Sequence, residues 1–203
     1  MMRKLLERLI RQKQPAFTLN ATIGTGTLLR FAANKVIQLS RGGLIMLRGR
    51  LPKFLLLGKG VNFQDLAYIK WGRWIQIGPN VSISAWGEEG LRLGNYVSIG
   101  SHSKIFVSFS LNDPGKGIKI GNRVGIGDFA HLGGAGGLVI GDDCIIGPYL
   151  SCHPENHQFS LIDIPIRLQG VSRKGIEIGP DCWIGAKVTI LDGVSLGKGS
   201  VVG

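Results

Sequence analysis

Residues 140–193 read IGDDCIIGPYLSCHPENHQFSLIDIPIRLQGVSRKGIEIGPDCWIGAKVTILDG. Ile140-Gly141-Asp142-Asp143-Cys144-Ile145 is followed by Ile146-Gly147-Pro148-Tyr149-Leu150-Ser151, a repeat of six residues. The register restarts at Ile178-Gly179 and runs through Ile184-Gly185, Ile190-Leu191 and Leu196-Gly197. Between the two runs lies a polar, proline-marked excursion carrying His153 and His157. An aliphatic residue followed by a small one at a fixed short period is the signature of a β-helix solenoid. A loop leaving such a stiff wall is a place where chemistry can be positioned.

The same unit extends upstream. It begins imperfectly near Leu57-Gly58 and becomes regular at Ile77-Gly78-Pro79-Asn80-Val81-Ser82. It returns at Leu93-Gly94, Ile99-Gly100, Ile120-Gly121 and Ile126-Gly127. Each unit supplies one short strand and one corner, with its first residue inward and a small residue where the backbone turns. The fifth position (Val81, Val97, Val124, Cys144, Val188) is expected to face inward too. Three units close a triangle, so coils of about 18 residues stack at roughly 4.8 Å. A turn-rich insertion, Phe106 to Lys119 with Asp113-Pro114-Gly115, interrupts one coil.

These coils resemble the hexapeptide-repeat acyltransferases. The segment Pro154-Glu155-Asn156-His157, with Pro165-Ile166-Arg167 and Trp183-Ile184-Gly185-Ala186, resembles the subgroup that O-acetylates sugars and polysaccharides. The resemblance covers about residues 55–203. It implies an all-β fold, a left-handed parallel β-helix, assembled as a homotrimer with active sites between subunits. It implies acetyl-coenzyme A as co-substrate, a carbohydrate acceptor and no metal. The histidine of the excursion, His157, would take the proton of the acceptor hydroxyl, since imidazole titrates near neutrality. Its neighbours Glu155 and Asn156 are candidates to fix its tautomer. By the same resemblance the Ala186 backbone N–H faces the thioester oxygen, which gains charge in the reaction. Trp183 packs beside the loop, and small Gly185 lets a ligand lie against the backbone. Lys187, Lys198, Arg167, Arg173 and Lys174 are available to phosphates. His153 is the neighbouring candidate but reads better as a solvent-facing loop residue, and His102 and His131 read as wall or interface residues, either of which could touch an acceptor across an interface. In the family the coil after Val201-Val202-Gly203 usually continues and contacts adenosine and pyrophosphate. Either a shortened end or another element completing the groove is therefore expected.

The acceptor expected is a cell-envelope polysaccharide or its lipid-linked precursor. A small soluble acceptor, a zinc enzyme of the gamma carbonic anhydrase type, and a non-catalytic scaffold are the rivals. Cys152 beside His153 hints at a metal site, but zinc needs three or four ligands and no further cluster accompanies them. Cys144 and Cys182 read as small core residues. Three cysteines, an odd number, argue against a disulfide framework and fit a cytoplasmic setting.

Charge divides the chain. Residues 1–60 hold 12 Lys and Arg against the single Glu7, whereas residues 61–203 hold 12 against 12. The whole surplus of +11 thus lies in the N-terminal quarter. Residues 1–13 read as a basic amphipathic helix with Leu5, Leu6, Leu9 and Ile10 on one face, ended by Pro15. Residues 28–41 read as a second helix, closed by Gly42-Gly43. The expected organisation is a basic segment, 1–54, and a β-helix domain, 55–203, with an active-site loop at 152–177. Residues 1–53 suit either a cap on the solenoid's open end or an anchor on an anionic membrane surface. No groove-reading motif argues for nucleic acid. No signal peptide is read, and no apolar run approaches the roughly 20 residues that span a bilayer.

Overall fold

A computed structural model describes residues 2–12, 15–108, 110 and 113–203. Met1 and Lys13 of the first expected helix, and residues 109, 111 and 112 of the insertion, lie outside the described residues, as does the side chain of Leu9.

The six-residue period folds as a three-sided prism. Three parallel sheets of seven, six and six strands stack coil upon coil. The first face runs from Leu56–Leu57 to Val201–Val202, the second from Asn62–Gln64 to Thr189–Leu191, and the third from Ile69–Trp71 to Ser195–Leu196. This is the left-handed parallel β-helix expected. The inward residues are those the repeat marks: Ile77, Val81, Ile83, Val97, Ile99, Val124, Ile140 and Cys144 are essentially inaccessible, and Val188 packs partly buried against them. Each aliphatic side chain so buried contributes about 1.5–3 kcal/mol.

The small residue of the repeat does more than permit a turn. A Cβ on Gly100 would sit 2.3 Å from the Gly127 carbonyl carbon, and one on Gly127 would sit 2.5 Å from Pro148 N. Neighbouring coils touch backbone to backbone along this column. A second column is polar: Asn95 Oδ1 accepts from Arg73 N, Asn122 Oδ1 from Asn95 N, and Asp142 Oδ1 from Asn122 N, at 2.8–2.9 Å. On the edge between the first and second faces, the rings of His102, Phe129 and Tyr149 stack 5.0 Å apart.

The long departures from the prism leave at one edge, between the second and third faces. One connects Lys104–Phe106 to Gly117–Ile120, and the other connects Ser151–His153 to Ile176–Ile178. The second excursion contains its own antiparallel hairpin, with Asn156 opposite Ser172 and His157 opposite Val171.

Two α-helices precede the prism, α1 (Met2–Arg11) and α2 (Thr25–Gly43), and a 3₁₀ turn (Leu44–Arg48) follows. The second helix starts earlier than the sequence indicates and runs through Gly42-Gly43 rather than stopping there. The reason is contact: a Cβ on Gly42 would lie 1.7 Å from Leu55 O, so only glycine lets the helix press on the first coil. Leu56 shares the outward register of exposed Gln76 yet is buried, because α2 covers it. Ile45 of the 3₁₀ turn joins the core at the prism's open end. Leu29, Val36, Leu44, Met46, Leu47 and Leu51 remain exposed among Arg30, Arg41, Arg48 and Lys53.

Candidate active site

Strand alternation decides what the root of the excursion offers. In Ser151–His153 the middle residue points inward, and Cys152 is fully buried, its thiol pushed up to about 12 by burial. It therefore faces away from His153 and presents neither a thiolate nor a ligand beside it. Among the described residues no group of three His, Cys, Asp or Glu side chains comes together as a metal cluster.

Ser151 and His153 point outward from the same strand. Ser151 Oγ and His153 Nε2 are hydrogen-bonded at 2.7 Å. One coil below, His131 lies directly opposite Ser151 in the ladder, and its ring stacks on that of His153 with centroids 5.4 Å apart. The half-buried His131 has its pKa lowered, first by burial, then by His153 and Lys104. The outer surface of the second face thus ends in a fixed Ser151–His153–His131 cluster at the edge where the excursion begins.

His157 sits further out, exposed on the hairpin strand Asn156–His157. Among the described residues neither Glu155 nor Asn156 hydrogen-bonds its ring. Glu155 instead accepts from Arg173 Nε at 2.7 Å, and Arg173 Nη1 donates to Asp113 Oδ1 at 2.7 Å. The expected tautomer-fixing carboxylate is therefore committed elsewhere: through Arg173 it ties the two legs of the excursion to the insertion after Phe106. Gly136 fits beneath this junction, since a Cβ there would lie 2.2 Å from Pro154 O.

Trp183, Gly185, Ala186 and Lys187 belong to the next coil. Trp183 is outward and exposed on the first face, opposite Ile145. Gly185 N donates to Val202 O at 2.7 Å and Lys187 N to Pro148 O at 2.9 Å. Among the described residues, nothing accepts the intervening Ala186 N–H, whereas the equivalent amide of Ser101 is capped by Asp128 Oδ1 at 2.6 Å. An open N–H at an exposed corner can face a developing oxyanion. Ala186 and the histidine cluster stand at opposite edges of the second face. One chain does not bring them together.

The sequence leaves Ser151 unremarked and reads His153 as a solvent-facing loop residue; it marks His131 only as a wall or interface residue and Arg173 only as available to phosphates. The two-residue alternation after Leu150 was the signal for the first pair, and the six-residue register placed His131 beneath Ser151. Nothing local foretold Arg173, whose partners come from two separate loops.

No family model matches the chain. It is 32% identical over 152 residues to the probable acetyltransferase Rv3034c of Mycobacterium tuberculosis, covering 73% of this chain and 41% of that protein. It is 26% identical over 121 residues to the putative lipopolysaccharide biosynthesis O-acetyl transferase WbbJ of Escherichia coli, covering 56% of this chain and 62% of that one. The chain thus spans about half the length of the curated relatives it matches. Among solved structures it is similar to the polySia specific acetyltransferase NeuO, at 22% identity over 72% of each chain with a TM-score of 0.34. The resemblance to acetyltransferases read from the repeats is matched by the names these relatives carry.

Proposed function

We propose that this chain is an acetyl-coenzyme A-dependent O-acetyltransferase acting on a hydroxyl of a cell-envelope polysaccharide or its lipid-linked precursor. The observation that carries the reading is the histidine held on a rigid strand at the root of the long excursion.

Geometry favours His153 over His157 as the base. Its ring is fixed by Ser151 on one nitrogen and by His131 on one face, whereas His157 rides on an exposed hairpin. In the tautomer whose Nε2–H donates to Ser151 Oγ, Nδ1 carries the free lone pair and accepts a proton. The acceptor hydroxyl gives its proton to Nδ1 as its oxygen attacks the thioester carbonyl carbon. The carbonyl oxygen takes up the negative charge, facing the Ala186 N–H. Collapse breaks the carbon–sulfur bond, and the departing thiolate recovers the proton from the imidazolium. The product is an acetyl ester plus coenzyme A. Lys187 and Trp183 flank the thioester site as candidate coenzyme contacts, with Gly185 leaving the backbone open to it. Glu155 shapes the excursion through Arg173, and Asn156 and His157 line its outer arm toward the acceptor.

The separation of His153 from Ala186 supports a site completed by a second copy, as in a homotrimer. The excursion also supports a protein partner. Gln169 clamps its tip by bonding Leu161 N, Leu161 O and Ile164 O at 2.6–3.0 Å, yet Phe159, Leu161, Ile162 and Leu168 stay exposed. The apolar and cationic collar at residues 28–53 supports attachment to an anionic membrane surface, at the cytoplasmic face where activated precursors and coenzyme meet. No helix among the described residues is long and apolar enough to cross a membrane.

Thiol release from acetyl-coenzyme A with polysaccharide acceptors tests the reading. His153→Ala should lower kcat by about 100-fold or more, and His157→Ala by less than about tenfold. The opposite order returns the base to His157. No release by the unaltered protein with any glycan removes the transferase reading.

A further inference from the structure

The third face carries a charge pattern that the proposed chemistry does not use. Its outward positions follow the ladder Lys70, Arg92, Lys119, Val139, Glu177, Ser195, each directly opposite the next. Three cations therefore stack on adjacent coils at strand spacing, about 4.8 Å. Like charges so placed repel. Among the described residues none of Lys70, Arg92 or Lys119 forms an ion pair, and neither does Lys116 or Lys174 beside them.

The ladder opens into a groove of about 300 Å³. Backbone at Gly136–Gly137 forms part of its lining, and its charged lining is four cations, Arg92, Lys116, Lys119 and Lys174, against two carboxylates, Glu89 and Glu177. The Lys116 side chain lies across Gly137 and that of Lys174 across Gly193, so glycine at these corners leaves room for both stems. The Gly136–Gly137 backbone adjoins the two legs of the histidine excursion, since Gly136 abuts Pro154 and Arg173. A lysine-rich face is also unlike the core of a subunit interface, where lysine is depleted.

We infer that this groove holds the anionic groups of the acceptor, so that the acceptor is an acidic glycan, a chain bearing carboxylates, rather than a neutral sugar. The inference rests on the acetyl-transfer reading for the word acceptor. The binding itself stands on the cation ladder and the groove at the root of the excursion. Successive acidic sugars lie along the third face, and the residue to be modified passes over Gly136–Gly137 to the edge where His153 stands.

The test uses the full chain with a hexamer of galacturonic acid and, as neutral counterpart, a maltose-type hexamer. Calorimetry should show the acid hexamer binding at 50 mM salt, weakening at least tenfold at 300 mM, and the neutral hexamer binding at least tenfold more weakly than the acid one. Arg92→Glu with Lys119→Glu should lower affinity for the acid hexamer at least tenfold and leave acetyl-coenzyme A affinity within twofold. The milder pair Arg92→Gln with Lys119→Gln should give an intermediate loss, covering the case in which the charge reversal unfolds the wall. Equal binding of the two hexamers, unchanged affinity in both variants, or a matching loss for acetyl-coenzyme A would overturn the inference. In the last case the groove serves the coenzyme phosphates. Acid-hexamer binding without any thiol release from acetyl-coenzyme A, by contrast, sinks the transferase reading and leaves the groove standing.

Discussion

The imidazole of His153 lies over that of His131, centroids 5.4 Å apart and planes within 20°, while its Nε2 meets Ser151 Oγ at 2.7 Å. Two imidazoles in contact cannot both charge freely. Burial and the neighbouring His153 and Lys104 already hold the His131 pKa below the ordinary histidine value.

That depression has a sign. Above the ordinary value, about 6.5, His131 is neutral in folded and unfolded chains alike and shifts nothing. Below it the unfolded chain takes up a proton that the folded chain resists, so stability falls as pH drops from about 6.5 toward the folded pKa. Thermal unfolding between pH 7.5 and 5 should show this decline, and His131→Gln should flatten it. An unchanged slope would refute the role of His131.

Asp142 supplies the opposite case. Hydrogen bonds from the Asn122 side chain and backbone hold its carboxyl below the usual carboxylate range. Its contribution is complete above the unfolded value and is lost as pH falls through the folded one. Asp142→Ala should destabilise by about 1 kcal/mol at pH 7, a figure reduced for its solvent exposure, and by clearly less in acid. Urea unfolding at the two pH values checks it.

Gly127→Ala would force a methyl to 2.5 Å from Pro148 N, within a stack whose partner is backbone and cannot swing aside. A loss of about 3 kcal/mol is expected. Gly26→Ala, with nothing within 4 Å, is the control and should change stability little.

Arg173→Ala frees Glu155 and Asp113 together. Hydrogen exchange should quicken at residues 153–157 and 113–117, kcat should fall about tenfold through misplacement of the excursion, and global unfolding should shift by about 1–2 kcal/mol. Arg173→Lys keeps the charge but loses the fork, and should recover only part of the rate.

Cosedimentation with vesicles should distinguish the two roles of the N-terminal collar. Binding to vesicles with anionic lipid that weakens in salt, and further on replacing Met46 and Leu47 with serine, is expected for a membrane-facing surface. Equal behaviour on neutral vesicles would leave the collar as a cap alone.

The prism was legible because its cause is local. From Ile77-Gly78 to Ile178-Gly179, each Ile-Gly pair of the coils needs one inward aliphatic residue and one position with no room for a Cβ, and both demands show in six letters. The inward fifth positions followed from the same rule. What escaped the sequence depends on meetings between distant segments. Glu155 reads as a partner for His157 until Arg173 arrives from the other leg and Asp113 from another loop. His153 reads as loop until the strand is seen to continue through it, which the burial of Cys152 makes plain. Gly42-Gly43 reads as a helix stop, yet its purpose is to let α2 settle on Leu55.

Both long departures from the prism leave through the same edge, so the remaining two edges keep their regular turns from bottom to top. A molecule arranged this way can lengthen or exchange one connection without altering how any coil sits on its neighbours. The chemistry presented at that edge, and the partner it greets, are free to vary while the column that supports them stays the same.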